Sequence, residues 1–265
     1  MPPDILGRLM KPDAADMLNK RKVYIALLIP YSPGAPEGFD ERYQAYWNAV
    51  DRQVAALESR TGPAKHIFVE GVVRGGQAGL NMLERSNKSA ADVAAARLKS
   101  GAVFESFEDE ELFGQVVDWG RCLQMGFISR TVATLAQQSF RAASESRQKH
   151  LQSKVNDSLK QMEAALLLVS SNDSVQLPSD VERFLVSPPE LDELERWVLT
   201  VNEEVMRAME QEESAMGQRL GSAADPHAGH SHGPVSPAAP MRPAPRPAAP
   251  PPQQKPGGLW TPGAR

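Results

Sequence analysis

Three histidines, His227, His230 and His232, stand in a His-x-x-His-x-His spacing. Three neutral imidazoles so placed hold Zn²⁺, Ni²⁺ or Cu²⁺ weakly. No fourth protein ligand accompanies them, and the segment must be ordered before it binds, so incidental binding is expected rather than a resident metal. Two more histidines, His66 and His150, fall at a strand entrance and within a long helical stretch, positions that suit structural side chains. The carboxylates Glu105, Glu108, Asp109, Glu110 and Glu111 are numerous enough for an acid/base pair. Four of them in a row also suit a solvated helix start, each contributing about 0.3–1 kcal/mol against the helix dipole, and that is the expectation. Cys122 is the single cysteine. It excludes an intrachain disulfide and a multi-cysteine zinc site. Its basic neighbour Arg121 is adjacent on a helix and does not face it, so the thiol is read as packing. Phosphate-binding loops, Gly-x-Ser-x-Gly and His-Glu-x-x-His do not occur. No cofactor and no catalytic residue is expected from these sets.

One further segment carries a chemical possibility. Arg74-Gly75-Gly76-Gln77-Ala78-Gly79-Leu80 follows an apolar run and opens a helical one. It resembles the Gly-Gly-Gln loop of archaeal-eukaryotic-type peptide-chain release factors. There the glutamine enters the peptidyl-transferase centre and its backbone positions the water that hydrolyses peptidyl-tRNA. The resemblance implies that role for Gln77, with Gly75 and Gly76 permitting the backbone shape. Residues 75–86 are also similar to a segment leading into the same factors' third domain, a protein-interaction module. The body as a whole resembles an uncharacterised bacterial α/β protein family, through Tyr24-Ile25-Ala26-Leu27-Leu28-Ile29-Pro30-Tyr31 and Ser187-Pro188-Pro189. The plainer reading makes Gly75-Gly76 a strand-to-helix turn and Gln77 a first-turn residue.

The elements that must position these residues follow from periodicity. Residues 1–20 read as an arm with at most one helical turn. Val23 to Ile29 is a continuous apolar run ended by Pro30, which predicts a strand buried on both faces. From Asp40, a plausible N-cap, Tyr43, Tyr46, Trp47, Val50, Val54 and Leu57 form one helical stripe up to Gly62-Pro63. Ile67 to Val73 predicts the next strand, giving a β-α-β crossover with a parallel pair. Short helices follow, one with Leu80 and Leu83, another capped by Ser89 and running to about Lys99. Val103-Phe104 suggests a brief edge strand. A helix opening at Glu108 is expected to bury Leu112, Phe113, Val116, Val117, Gly120 and Leu123 and to break at Gly126. Ser129 to Gln161 contains no proline or glycine; as one helix it spans roughly 50 Å, so part of it extends past a compact body or curves around it. Ala164 to Val169 and Val181 to Val186 read as strands, with Val175 to Leu177 pairing back between them. Ser187-Pro188-Pro189-Glu190 forms a capping box. The heptad-like Leu191, Leu194, Val198, Val201, Val205 and Ala208 behind it suit packing on the sheet, or a homodimer through helix 189–212. The expected class is therefore α/β: a small parallel or mixed sheet of four to five strands with several helices, two of them long.

Charge and proline divide the chain. It has 265 residues, a formal charge of −4 and 22 prolines, of which 12 lie between Gly221 and Arg265. That stretch carries +3, which leaves −7 on residues 1–220. An acidic body argues against deep burial in RNA, so ribosome or RNA binding belongs only to the release-factor reading. Residues 221–265 lack the apolar content for a core and predict a disordered, proline-rich tail. Its only aromatic residue sits at its tip, in Gly257-Gly258-Leu259-Trp260-Thr261-Pro262-Gly263-Ala264-Arg265. Such a tip predicts a linear motif, with Leu259 and Trp260 filling a partner pocket, Pro262 restricting the chain and Arg265 adding charge. The N-terminus has no secretory pattern and no run approaches the roughly 20 apolar residues of a membrane span. The expectation is a cytoplasmic, non-catalytic adaptor or regulatory protein that recruits a protein partner through this tail, with the translation-factor reading of Gln77 as the alternative.

Overall fold

The continuous apolar run at residues 23–29 forms the centre of the molecule. In the computed structural model, which describes residues 19–221 and side chains through 212, β1 (Arg21–Leu27) pairs with β4 (Ala164–Val169) on one side and β5 (Val181–Val186) on the other. β2 (Ala64–Val69) lies beyond β4, and the two-residue β3 (Val103–Phe104) closes that edge. The order is β3-β2-β4-β1-β5, all parallel. The expected crossover is present, but β4 is inserted between β1 and β2. Both β1 and β4 are thus central and covered on both faces, which is why they read as unbroken apolar runs rather than alternating ones.

Six helices occur among the described residues: α1 (Phe39–Thr61), α2 (Gly76–Ser86), α3 (Lys88–Lys99), α4 (Glu110–Met125), α5 (Arg130–Ser158) and α6 (Pro189–Gly221). α1 covers one face of the sheet. Its stripe of Tyr43, Tyr46, Trp47, Val50 and Val54 is buried, Tyr46 donates its hydroxyl hydrogen to Leu27 O at 2.6 Å, and Tyr24 reaches back to Gly62 O at 2.5 Å. α3 is tied beside α1 by the buried Arg97, which binds Asp51 and stands 3.3 Å from Glu58. The opposite face packs Val23, Ile25, Phe68, Leu167 and Val169 against Leu151, Val155 and Leu159 of α5. Arg21 pins the lower edge there, bonded to Asp180 at 2.6 Å and to Asn156 at 3.1 Å. Residues through Glu195 form one compact unit, and the rest of α6 belongs to a second. No described helix is long and apolar enough to cross a membrane.

Several local expectations are corrected. α1 starts after Gly38 in a left-handed conformation (φ 92), and Asp40 lies inside the helix. Asn87, not Ser89, caps α3: its Oδ1 accepts from Ala90 N at 2.9 Å while its amide donates to Ile29 O at 2.8 Å. A residue joining two helices to the end of β1 is worth burying, which a surface serine is not. β2 stops at Val69 because Glu70 and Gly71 turn the chain away, Gly71 at φ 81. Val175 to Leu177 form no strand; Val175 and Leu177 instead drop into the α5-side core. No residue of α4 is fully buried. Its apolar side chains pack chiefly on α5, and most stay half exposed.

The turn at Gly75 to Gly79 is explained by close packing. A Cβ on Gly75 would sit 3.0 Å from Phe104 O and Ser106 N, and one on Gly79 would stand 2.8 Å from the Phe104 ring and collide with Arg74 O. α2 therefore lies directly on β3. Gly79→Ala is expected to cost about 1–3 kcal/mol from overpacking, read as a lowered urea midpoint with unchanged m value. Gly76→Ala adds a side chain in open space and is expected to cost mainly its backbone conformation at φ 58.

Candidate functional site

In an open parallel sheet, ligands and catalytic groups gather at the carboxyl ends of strands whose chains leave toward opposite faces. Here β1 and β2 leave toward the α1 and α3 face, whereas the chain after β4 passes to the α5 face. β4 stands between β1 and β2, so its carboxyl end is the switch position.

Four residues meet there. Glu70 follows β2, Glu108 follows β3, Ser170 follows β4, and Arg147 comes from the middle of α5. Arg147 donates from Nε to Glu108 Oε2 at 2.9 Å and from Nη2 to Glu70 Oε1 at 2.9 Å, and Nη2 also meets Glu108 Oε1. The second Glu70 oxygen accepts from Ser170 N at 2.7 Å and Ser170 Oγ at 2.8 Å. Gly71 N donates to Glu108 Oε1 at 3.0 Å. The Phe113 ring, 5.6 Å from the guanidinium carbon, covers the cation. The Glu108 side chain is 0% exposed. Its expectation as part of a solvated helix start is overturned. Asp109 is the true cap of α4, accepting from Leu112 N at 2.9 Å, and Glu108 turns inward one residue earlier.

Burial alone would push the Glu70 carboxyl upward; the Ser170 backbone and hydroxyl together with the Arg147 guanidinium reverse this and hold it below the usual carboxylate range. The two carboxylates in turn raise the already high pKa of Arg147 against its burial. Every polar atom named here faces a partner within the cluster. Its chemistry is ion pairing and hydrogen bonding that ties β2, the turn before α4, β4 and α5 together.

A second carboxylate set surrounds His66, at 2.7 Å from Glu105 (Nδ1) and 3.4 Å from Glu163 (Nε2). The ring stacks on Phe68 at 6.2 Å. His66 is therefore a structural bridge between β2 and the residues after β3 and before β4. No group of His, Cys, Asp and Glu with metal-binding geometry occurs among the described residues.

Beyond the end of β1, a cleft of about 400 Å³ lies between the start of α1 and the junction of α2 with α3, bordered by Tyr31, Asp40, Tyr43, Glu84, Arg85 and Lys88. Burial pushes the Tyr43 phenol up to about 12, and the Asp40 carboxylate raises that of the exposed Tyr31. Both phenols stay neutral at physiological pH. The cleft offers aromatic edges beneath a rim of both charge signs.

Of the sequence-derived residues, Gly75, Gly76 and Gln77 lie at the start of α2. Gln77 is exposed and donates its side-chain amide to Asn81 at 2.8 Å. Cys122 is a half-buried free thiol on α4. His227, His230, His232, Leu259, Trp260, Pro262 and Arg265 lie outside the described residues. The sequence reading singles out neither Glu70, Arg147 nor Ser170, and it places Glu108 in a solvated helix start. The available signal was weak: a lone glutamate ending an apolar run, and an arginine on a helix face between Ala143 and Leu151. In comparisons with protein-family models, curated proteins and solved structures, the chain matches none.

Replacing Arg147 with leucine leaves two carboxylates facing each other in a buried site. The expected loss is about 3–5 kcal/mol, read by urea unfolding at neutral pH. Because Glu70 is held below its unfolded value, its contribution is present above that unfolded value and is lost as pH falls through the folded one. Stability measured from pH 6 down to pH 2 is therefore expected to fall, and Glu70→Gln is expected to flatten that fall while lowering stability at pH 7.

Proposed function

We propose that the protein is a non-catalytic cytoplasmic adaptor or regulatory protein whose C-terminal segment, residues 221–265, recruits a protein partner. The observation that supports this reading best is the distribution of apolar surface. At the sheet's carboxyl edge the charged side chains are committed to one another, while large apolar side chains stand exposed on the body at Met125, Phe127, Ile128, Val132 and Leu135. Exposed apolar clusters mark protein contact sites. The C-terminal sequence adds Leu259 and Trp260 as anchors, with Pro262 and Arg265 beside them. A homodimer through helix 189–212 would use the positions beyond Leu191, Leu194 and Val198, which are buried.

A second reading keeps Gln77 as a functional residue of a translation factor that acts on the ribosome. It is favoured by the exposure of Gln77 in the first turn of α2, where backbone N–H groups lack intrahelical acceptors, and by the positive φ of Gly76.

Affinity capture with the full chain and with a chain lacking Gly257 to Arg265 tests the first reading. The shorter chain is expected to lose a discrete partner; an identical partner set contradicts the proposal. Peptidyl-tRNA hydrolysis that is present in the native protein and abolished by Gln77→Ala establishes the second reading in its place.

A further inference from the structure

The cleft of about 400 Å³ beyond the end of β1 lies apart from the ion cluster. Its size falls in the range of small-molecule sites. Its floor is aromatic. Phe39 stacks on Tyr43 with ring centroids 5.4 Å apart, and Tyr31 meets the Tyr43 ring edge-on, also at 5.4 Å. Phe39 and Tyr43 are buried, whereas Tyr31 stays 44% exposed. The Tyr43 hydroxyl is committed to Ile29 O at 3.2 Å. Tyr43 thus anchors the floor, and Tyr31 presents the accessible ring.

The walls are polar, and most of their groups already have partners. Lys88 binds both oxygens of Asp92, at 3.0 and 2.8 Å, and the Glu84 charge adds to that field. Ser89 donates to Gln44 Oε1 at 3.2 Å, and the Gln44 amide donates to Asn48 at 3.1 Å. Ser86 donates back to carbonyls of its own helix. Two charges are left. Asp40, on the α1 wall, accepts from the neutral Tyr31 hydroxyl and forms no ion pair among the described residues. Arg85, on the α2 wall, has no hydrogen-bond or ionic partner among the described residues. An anion held by Arg85 alone faces Asp40 across the cleft, and a cation held by Asp40 alone faces Arg85. A ligand carrying both charges sets each against its opposite.

We propose that this cleft binds a free α-amino acid with an aromatic or large apolar side chain. Its carboxylate pairs with the Arg85 guanidinium, its ammonium with the Asp40 carboxylate, and its side chain lies on the Tyr31 ring. Each role falls to a group that the fold leaves available. The planar guanidinium matches a carboxylate bidentately, and no bond within the described structure holds the long Arg85 side chain away from it. The bond from the Tyr31 hydroxyl orients the Asp40 carboxylate while leaving its charge in place. An aromatic ring suits both an apolar side chain and a nearby ammonium. The site is separate from the C-terminal recruitment proposed above, and neither depends on the other.

Isothermal titration calorimetry of the full chain with L-phenylalanine and with L-leucine tests this. A dissociation constant of about 0.1–1 mM is expected for ligands of this size in an open cleft. Phenethylamine, which lacks the carboxylate, and phenylpropionate, which lacks the ammonium, are each expected to bind roughly tenfold or more weakly than L-phenylalanine. Arg85→Met and Asp40→Asn are each expected to weaken amino-acid binding by a similar factor, with the circular dichroism spectrum unchanged because both side chains are exposed. Arg121→Met, on α4 and outside the cleft, is expected to leave binding as it is. A native chain that binds neither amino acid up to about 10 mM overturns the proposal. So does equal affinity for phenethylamine or phenylpropionate, which makes the cleft a site for a single charge. Binding that survives both Arg85→Met and Asp40→Asn overturns it as well, because the ligand then lies elsewhere.

Discussion

The buried ion cluster of Glu70, Arg147 and Glu108 is the constraint on which the upper half of this fold depends. A carboxylate with no exposure is tolerated only when its oxygens are fully engaged. For Glu108 the partners come from two other elements, Arg147 on α5 and the Gly71 amide after β2. Satisfying it fixes where β2 turns, where α4 begins and how far along α5 the guanidinium must stand. Glu70 extends the same requirement to β4 through Ser170. One network of charge-assisted bonds thus sets the relative positions of three strand ends and the base of the helical hairpin.

Two consequences meet in the proposed function. The switch position of the sheet, where an α/β protein ordinarily receives a ligand, is filled by side chains holding the architecture. The hairpin rooted in that network carries its apolar surface outward. Tied down at its base and apolar at its exposed tip, it supplies the surface on which the proposed contact role rests. The cleft beside Tyr31 and Tyr43 is a further concave feature, and its rim mixes Asp40 and Glu84 with Arg85 and Lys88, so no single ligand charge is selected.

Much of the fold was legible because burial on both faces leaves a plain trace. β4 and β5 were read to the residue, and the helical stripes of α1 and α5 were visible in their spacing. What was not legible was long-range. The insertion of β4 between β1 and β2 depends on pairing across about 100 residues to β2 and 142 to β1, which local periodicity does not encode. Asn87 was passed over as a cap because its second bond, to Ile29, joins residues far apart in sequence. Glu108 looked like one of four equivalent helix-start carboxylates, and only the position of Arg147 distinguishes it. The expected burial of Leu112 to Leu123 failed for a different reason. The apolar stripe is real, but a single neighbouring helix covers only part of it.

The central claim is that the sheet's carboxyl edge is a closed structural joint rather than an open site. Native-state hydrogen exchange at Gly71 tests it most directly, because its amide donates to the fully buried Glu108 carboxylate. The account predicts that this amide exchanges only through global unfolding, with protection matching Leu166 and Leu167 in the core of β4. Exchange at the rate of an open surface loop would contradict it.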